Sequence, residues 1–122
     1  MNKKIFIDTN PLIYLVSQQE PFHSKVLHYL SSLIDDNAEF YTSTITDAEF
    51  LVKPFSDNNI TEIQLYKEYL MRLELVKCAI SEQIAEKAAL IRAKYKGIKL
   101  ADALQIASCI NSECDEFLTN DK

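Results

Sequence analysis

Short apolar runs alternate with stretches of helical periodicity along the whole chain, and this alternation limits the fold more than any other feature. Ile5-Phe6-Ile7, led by Lys4, is a continuous run that stops at Asp8-Thr9-Asn10-Pro11; it reads as a buried strand followed by a turn. Phe22, Val26, Tyr29, Leu30 and Leu33 recur at helical spacing until Asp35-Asp36-Asn37 ends the pattern. Glu39 to Ser43 is rich in β-formers and reads as a second strand. Ile45 to Val52 predicts a short helix that stops before Pro54. After the loop at Ser56-Asp57-Asn58-Asn59, Thr61 and Gln64 make a capping box, with Ile60 and Leu65 as its staple, so a helix is expected from Thr61. Ile63, Tyr66, Leu70 and Leu73 line its buried side, and Leu73-Glu74-Leu75-Val76 alternates like a third strand. Ser81 is placed to cap a helix with Ile84, Ala88, Ile91 and Tyr95 facing inward, and Gly97 sits where a left-handed helix terminus is wanted. Leu100, Ala103, Leu104 and Ala107 mark another helix, and Glu116 to Thr119 a final strand. Strands alternating with helices imply an α/β layer fold with a mainly parallel sheet.

The length of 122 residues, 48% hydrophobic, allows one domain over residues 1–122 with a core that needs no disulfide or metal staple. Gly97 is the one glycine. A P-loop, a dinucleotide-binding fingerprint and a Gly-x-Ser-x-Gly elbow each need more, so the usual backbone cradles for phosphate are excluded. The net charge of −5 argues against a simple basic nucleic-acid clamp, while leaving room for a site that handles phosphate through metal ions. No apolar run approaches the roughly 18 residues of a membrane span, and the run before Asp8 is too short for a signal-peptide core. Cys78, Cys109 and Cys114 form no Cys-x-x-Cys pair and read as reduced, buried thiols of a cytoplasmic protein.

In a parallel α/β sheet, ligands bind beyond the carboxyl ends of the strands. The polar residues expected there are Asp8, then Ser43, Thr44 and Thr46 with Glu49 one helical turn on, and finally Asp121. Asp102 falls in the first turn of a helix, on a different side from Leu100, Ala103 and Leu104. Carboxylates gathered at one edge repel by about 4 kcal/mol per pair at about 4 Å and an effective dielectric of about 20. Such a cluster persists if some groups are protonated or a divalent cation neutralises it. Oxygen-only ligands favour Mg2+ or Mn2+, which can activate water and stabilise charge on a phosphodiester.

Each acid also has a plainer reading. Asp8-Thr9-Asn10-Pro11 suits a turn or a helix cap, and Asp102 suits a helix N-terminus. Glu49 suits a solvated helix face, and Asp121 a frayed terminus. It is their joint placement that points to a site. His23 and His28, five apart, share no helix face, and Asp47 falls roughly opposite Glu49. Lys87, Arg92, Lys94, Lys96 and Lys99 form a basic run that leads to Asp102. It reads equally as cations suited to a helix C-terminus and as a strip that meets phosphates beside the acids.

Four segments in order carry a resemblance: Phe6-Ile7-Asp8-Thr9-Asn10, Ser43-Thr44-Ile45-Thr46-Asp47-Ala48-Glu49, Asp102-Ala103-Leu104-Gln105-Ile106-Ala107 and Leu118-Thr119-Asn120-Asp121. Together they resemble the PIN domain, in particular the VapC-type toxins of prokaryotic toxin–antitoxin pairs. The resemblance implies a three-layer α/β/α fold and Mg2+- or Mn2+-dependent cleavage of RNA, leaving 5′-phosphate and 3′-hydroxyl ends. It also implies homodimers and inhibition by a cognate antitoxin. Asp8, Glu49, Asp102 and Asp121 match the family's metal-binding acids; Thr9, Asn10, Ser43, Thr46 and Asn120 match the residues that support them or contact substrate. Family members usually run on past Asp121 into a short helix and strand, so the chain is expected to lack them. The alternatives are an RNA-processing or DNA-directed nuclease without a toxin role, and an inactive PIN-like scaffold.

Overall fold

The structure, a computed structural model, describes residues 2–119. Among them, β1 (Lys4–Ile7), β2 (Glu39–Ser43), β3 (Val76–Cys78) and β4 (Glu116–Leu118) form one sheet in the order β3-β2-β1-β4. Every pairing is parallel, with Ile5 opposite Phe40 on one side and Glu116 on the other. Parallel neighbours need crossovers, and helices supply them. α1 (Thr9–Ser17) and α2 (Phe22–Asp35) lead from β1 to β2. α3 (Thr44–Phe50), α4 (Val52–Ser56) and α5 (Ile60–Arg72) lead to β3, and α6 (Glu82–Lys94) and α7 (Leu100–Asn111) to β4.

The pleat sorts side chains between two helical layers. Ile5, Ile7 and Phe40 pack with Leu12 and Leu15 of α1 and with Leu30 and Leu33 of α2, while Tyr69 and Leu70 of α5 close the margin. Full burial of each large apolar side chain stabilises the fold by about 1.5–3 kcal/mol. α6 and α7 join through Ile84, Ala88, Ala103 and Ala107, and α7 lies on β2. Phe6, between Ile5 and Ile7, stacks on Phe117 with ring centroids 5.6 Å apart. The result is the expected three-layer α/β/α arrangement.

The observed β1 and β2 match the expected spans, and Ser81 caps α6 by accepting from the Ile84 amide at 3.2 Å. Gly97 has φ +94°, the left-handed conformation its position required.

Other expectations are corrected. The segment after Asp8 is a helix from its first residue, because Asp8 caps it and Pro11 lies in the first turn, where an amide has no intrahelical partner. Pro54 does not stop the second helical region for the same reason. The helix breaks at Leu51, and Pro54 occupies the first turn of α4. α5 starts one residue before Thr61, since Asn59 is its cap. Asn59 accepts from the Glu62 amide at 3.1 Å and donates to Glu62 Oε2 at 3.2 Å. Leu73 then caps α5 and Glu74 takes φ 50°, so the third strand begins only at Val76. Tyr95 is 65% exposed rather than inward, because α6 ends at Lys94 and the backbone leaves the helical face there.

Candidate active site

Three of the four expected acids, Asp8, Glu49 and Asp102, line one pocket at one end of the sheet. Asp8, immediately after β1, is 7% exposed. Its Oδ1 accepts from the Thr9 amide at 2.9 Å and from Gln105 Nε2 at 3.3 Å, and its Oδ2 from the Thr119 hydroxyl at 2.9 Å. The Asp8 amide itself donates to the Leu118 carbonyl at 2.9 Å, locking the ends of β1 and β4 together. Thr46, in the first turn of α3, is buried, and Glu49 one turn later accepts a hydrogen bond from the Thr9 hydroxyl at 2.6 Å. Asp102 is half-buried in the first turn of α7. Asp8, Thr9, Asn10, Glu49, Lys99, Ala101 and Asp102 line a single pocket of about 180 Å³. Asn120 and Asp121 lie outside the described residues.

Two helix N-termini help hold these charges. Asp8 caps α1 and Asp102 sits in the first turn of α7, where each helix offers partial positive charge worth about 0.3–1 kcal/mol. Of the basic run, Lys99 alone reaches the pocket lining, whereas Lys87, Arg92, Lys94 and Lys96 are exposed along α6 and the turn after it.

Behind the acids lies a buried polar network whose hub had no assigned role in the sequence reading. Gln105 is 1% exposed on α7, one turn after Asp102. Its Oε1 accepts from the Ser43 hydroxyl, which orients the amide so that Nε2 donates towards Asp8 and, at 2.7 Å, to Thr46 Oγ1. Thr42 donates to the Ile7 carbonyl at 2.8 Å, so the Thr46 hydroxyl must donate to Thr42 Oγ1, 2.7 Å away. Ser43 also caps α3, accepting from the Ile45 amide at 3.1 Å. Gln105, Thr42 and Thr119 are thus the residues that sequence reasoning left out. The signal for Gln105 was its position three residues after Asp102 inside an otherwise small and apolar helix face.

Asp47, two residues before Glu49, faces away from the pocket. It accepts from the Tyr66 hydroxyl at 2.8 Å and pairs with Lys77 Nζ at 2.9 Å, tying α3 to α5 and β3. Burial, reinforced by Asp47, pushes the Tyr66 phenol far above its ordinary value, so it stays a neutral donor.

The PIN domain model matches residues 5–122. The chain belongs to the PIN domain family. Members of that family are generally nucleases, and their shared fold is visible in solved structures. This PIN domain is similar to a chain of a toxin–antitoxin complex from Klebsiella pneumoniae, with 25% identity and a TM-score of 0.69 over 95% of this chain and 86% of that one. FitAcB from Neisseria gonorrhoeae (24% identity, TM-score 0.71, 96% and 87% coverage) shares the fold. So does VapBC2 from Rickettsia felis bound to a promoter DNA fragment (19% identity, TM-score 0.70, 97% and 87% coverage). No curated protein matches this PIN domain in sequence.

The donor set suits a hard divalent cation. It is all oxygen, carboxylate-rich and partly shielded from water. Among the described residues, no three Asp, Glu, His or Cys side chains converge as ligands to one ion. Mg2+ is commonly held by one or two carboxylates and several waters, so this arrangement still fits the ion.

Proposed function

We propose that this PIN domain is a Mg2+- or Mn2+-dependent endoribonuclease and the toxin of a toxin–antitoxin pair. One observation carries the reading: Asp8, Glu49 and Asp102, from three distant parts of the chain, open together into one pocket with Lys99 at its lining. Asp8 and Asp102 would hold the metal, with Glu49 and Asp121 as further acids. Such an ion supplies activation of water and neutralisation of phosphodiester charge. The chain's own residues do the rest. Thr9 and Gln105 fix the carboxylates; Asn10, Ser43, Thr46 and Asn120 contact RNA or support the acids; Lys99 meets a phosphate. Similarity to a toxin–antitoxin complex supports a cognate antitoxin as partner, and we extend the reading to a homodimer. Val52, Phe55 and Ile60 expose apolar surface of the kind that protein interfaces cover. Free Cys78, Cys109 and Cys114 suit a cytoplasmic location, and no helix among the described residues is long and apolar enough to cross a membrane.

The test is cleavage of RNA by the purified chain with Mn2+. Asp8→Asn keeps a capping side chain on α1, and Asp102→Asn keeps volume, so both variants should fold. Each is expected to lose cleavage by 100-fold or more, on the order of other charge-stabilising active-site losses, together with Mn2+ binding. Cleavage retained in both variants, with contaminating nuclease excluded, overturns the reading. Growth arrest on induction, relieved by a neighbouring gene's product, separates a toxin from a processing nuclease.

A further inference from the structure

A second cavity, of about 160 Å³, opens between α1 and α2 beside the acidic pocket. Its lining is mostly apolar and aromatic: Pro11, Tyr14, Phe22, Val26, Tyr29 and Leu118, with Lys25 and Thr119 as the polar members. Tyr14 and Phe22 stack with ring centroids 4.6 Å apart and planes 24° from parallel. The Tyr29 hydroxyl donates to Glu116 at 2.6 Å, which holds its ring in place. The volume is below the roughly 300–1,000 Å³ of sites for drug-sized ligands and suits one flat ring system.

The two cavities share no lining residue, but one hydrogen bond links their walls. Thr119 lines this one while donating to Asp8 Oδ2 in the other. Pro11, in this lining, lies three residues along α1 from Asp8, a rise of about 4.5 Å. A polymer with its phosphate at Asp8 therefore has a neighbouring group within reach of the aromatic walls. We infer that the α1–α2 cavity is a base subsite: it stacks one unpaired nucleobase of single-stranded RNA next to the cleaved phosphate, with Lys25 neutralising the flanking phosphate. The inference rests on the ribonuclease reading and adds the place that holds one base beside the cut. The chemistry matches. Rings with few hydrogen-bonding groups recognise π-faces rather than base edges, and an exposed lysine beside them contacts the backbone.

The experiment uses short single-stranded RNAs that carry 2-aminopurine at one position at a time, bound to the wild-type protein in EDTA. The chain has no tryptophan, which keeps the fluorescence window clear. Quenching should be strongest at one position, adjacent to the phosphate that is cut when Mn2+ replaces EDTA. Phe22→Leu, which keeps apolar bulk but removes a ring, should abolish that quenching and weaken binding about tenfold. Lys25→Gln, at an exposed position that cannot disturb the core, should weaken binding by a smaller factor and flatten its salt dependence. Quenching spread evenly along the RNA, or full affinity in both variants, overturns the subsite. So does the case in which the variants bind RNA normally but lose a protein partner, since the cavity then seats a side chain. Position-specific quenching without any Mn2+-dependent cleavage leaves the subsite standing and sinks the nuclease reading instead.

Discussion

At the scale of single residues, the site depends on a neutral amide. Gln105 donates to Asp8 and Thr46 and accepts from Ser43, so one side chain links α7, α3 and the end of β1. Removing it strands several buried polar groups, each costing about 1–3 kcal/mol. Gln105→Leu is expected to lower unfolding free energy by roughly 2–4 kcal/mol in urea denaturation. It should also cut cleavage by more than its loss of folded protein explains, because Asp8 loses a donor that fixes it. Gln105→Glu should be worse, as it sets a second buried carboxyl beside Asp8. Wild-type stability in Gln105→Leu would falsify the role given to this network. The acids themselves were legible because a carboxylate after a strand signals a ligand end. The amide behind them was not, because a glutamine on a helix reads as surface until its burial is known.

At the scale of elements, sequence and structure agree where one force acts alone. β1 kept its span because a continuous apolar run leaves no competing arrangement, and β2 because its β-formers end at Ser43, which caps α3. Boundaries moved where several capping residues compete: Asn59 displaced Thr61, and Leu51 rather than Pro54 marked the break between α3 and α4. Ion pairs between strands were also invisible, since they depend on which strands become neighbours. Lys3 pairs with Glu116 at 2.7 Å, joining the start of β1 to β4, and Tyr29 of α2 donates to the same carboxylate. The Lys3 and Tyr29 bonds hold the Glu116 carboxyl below its ordinary value, while Glu116 raises Lys3 and Tyr29. For Glu116 the lowered value means stability that is present at neutral pH and lost as pH falls below about 4.5. For Lys3 and Tyr29 the raised values mean stability that is present below about 10 and lost as pH rises beyond it. Lys3→Gln should therefore lower Tm slightly at pH 7 and have no such effect near pH 3. Salt should shrink the difference, because the pair is exposed. An equal Tm loss at both pH values would mean that the lysine stem, and not its charge, supports the edge.

At the scale of the whole molecule, topology explains why the acids meet. From β1 the chain crosses first to β2 on one side, and only its last described strand, β4, returns to the other side of β1. Connections diverge at the carboxyl end of β1, which leaves a crevice there. Asp8 lies in it by position, α3 brings Glu49 and α7 brings Asp102. The unfolded chain has no such crevice, because these residues are separated by 41 and 53 positions (49 − 8 and 102 − 49). A cation that binds across them therefore binds the folded state selectively, and folding and binding are linked. At ten times its Kd, Mn2+ should stabilise the protein by about 1.4 kcal/mol, a Tm rise on the order of 5 °C by differential scanning fluorimetry. EDTA should reverse the rise. Asp8→Asn and Asp102→Asn should remove it even where their own Tm without metal equals that of the wild type. A rise of the same size in both variants would place the ion elsewhere on this acidic chain. The convergence of Asp8 and Asp102 would then serve capping of α1 and α7 rather than metal binding.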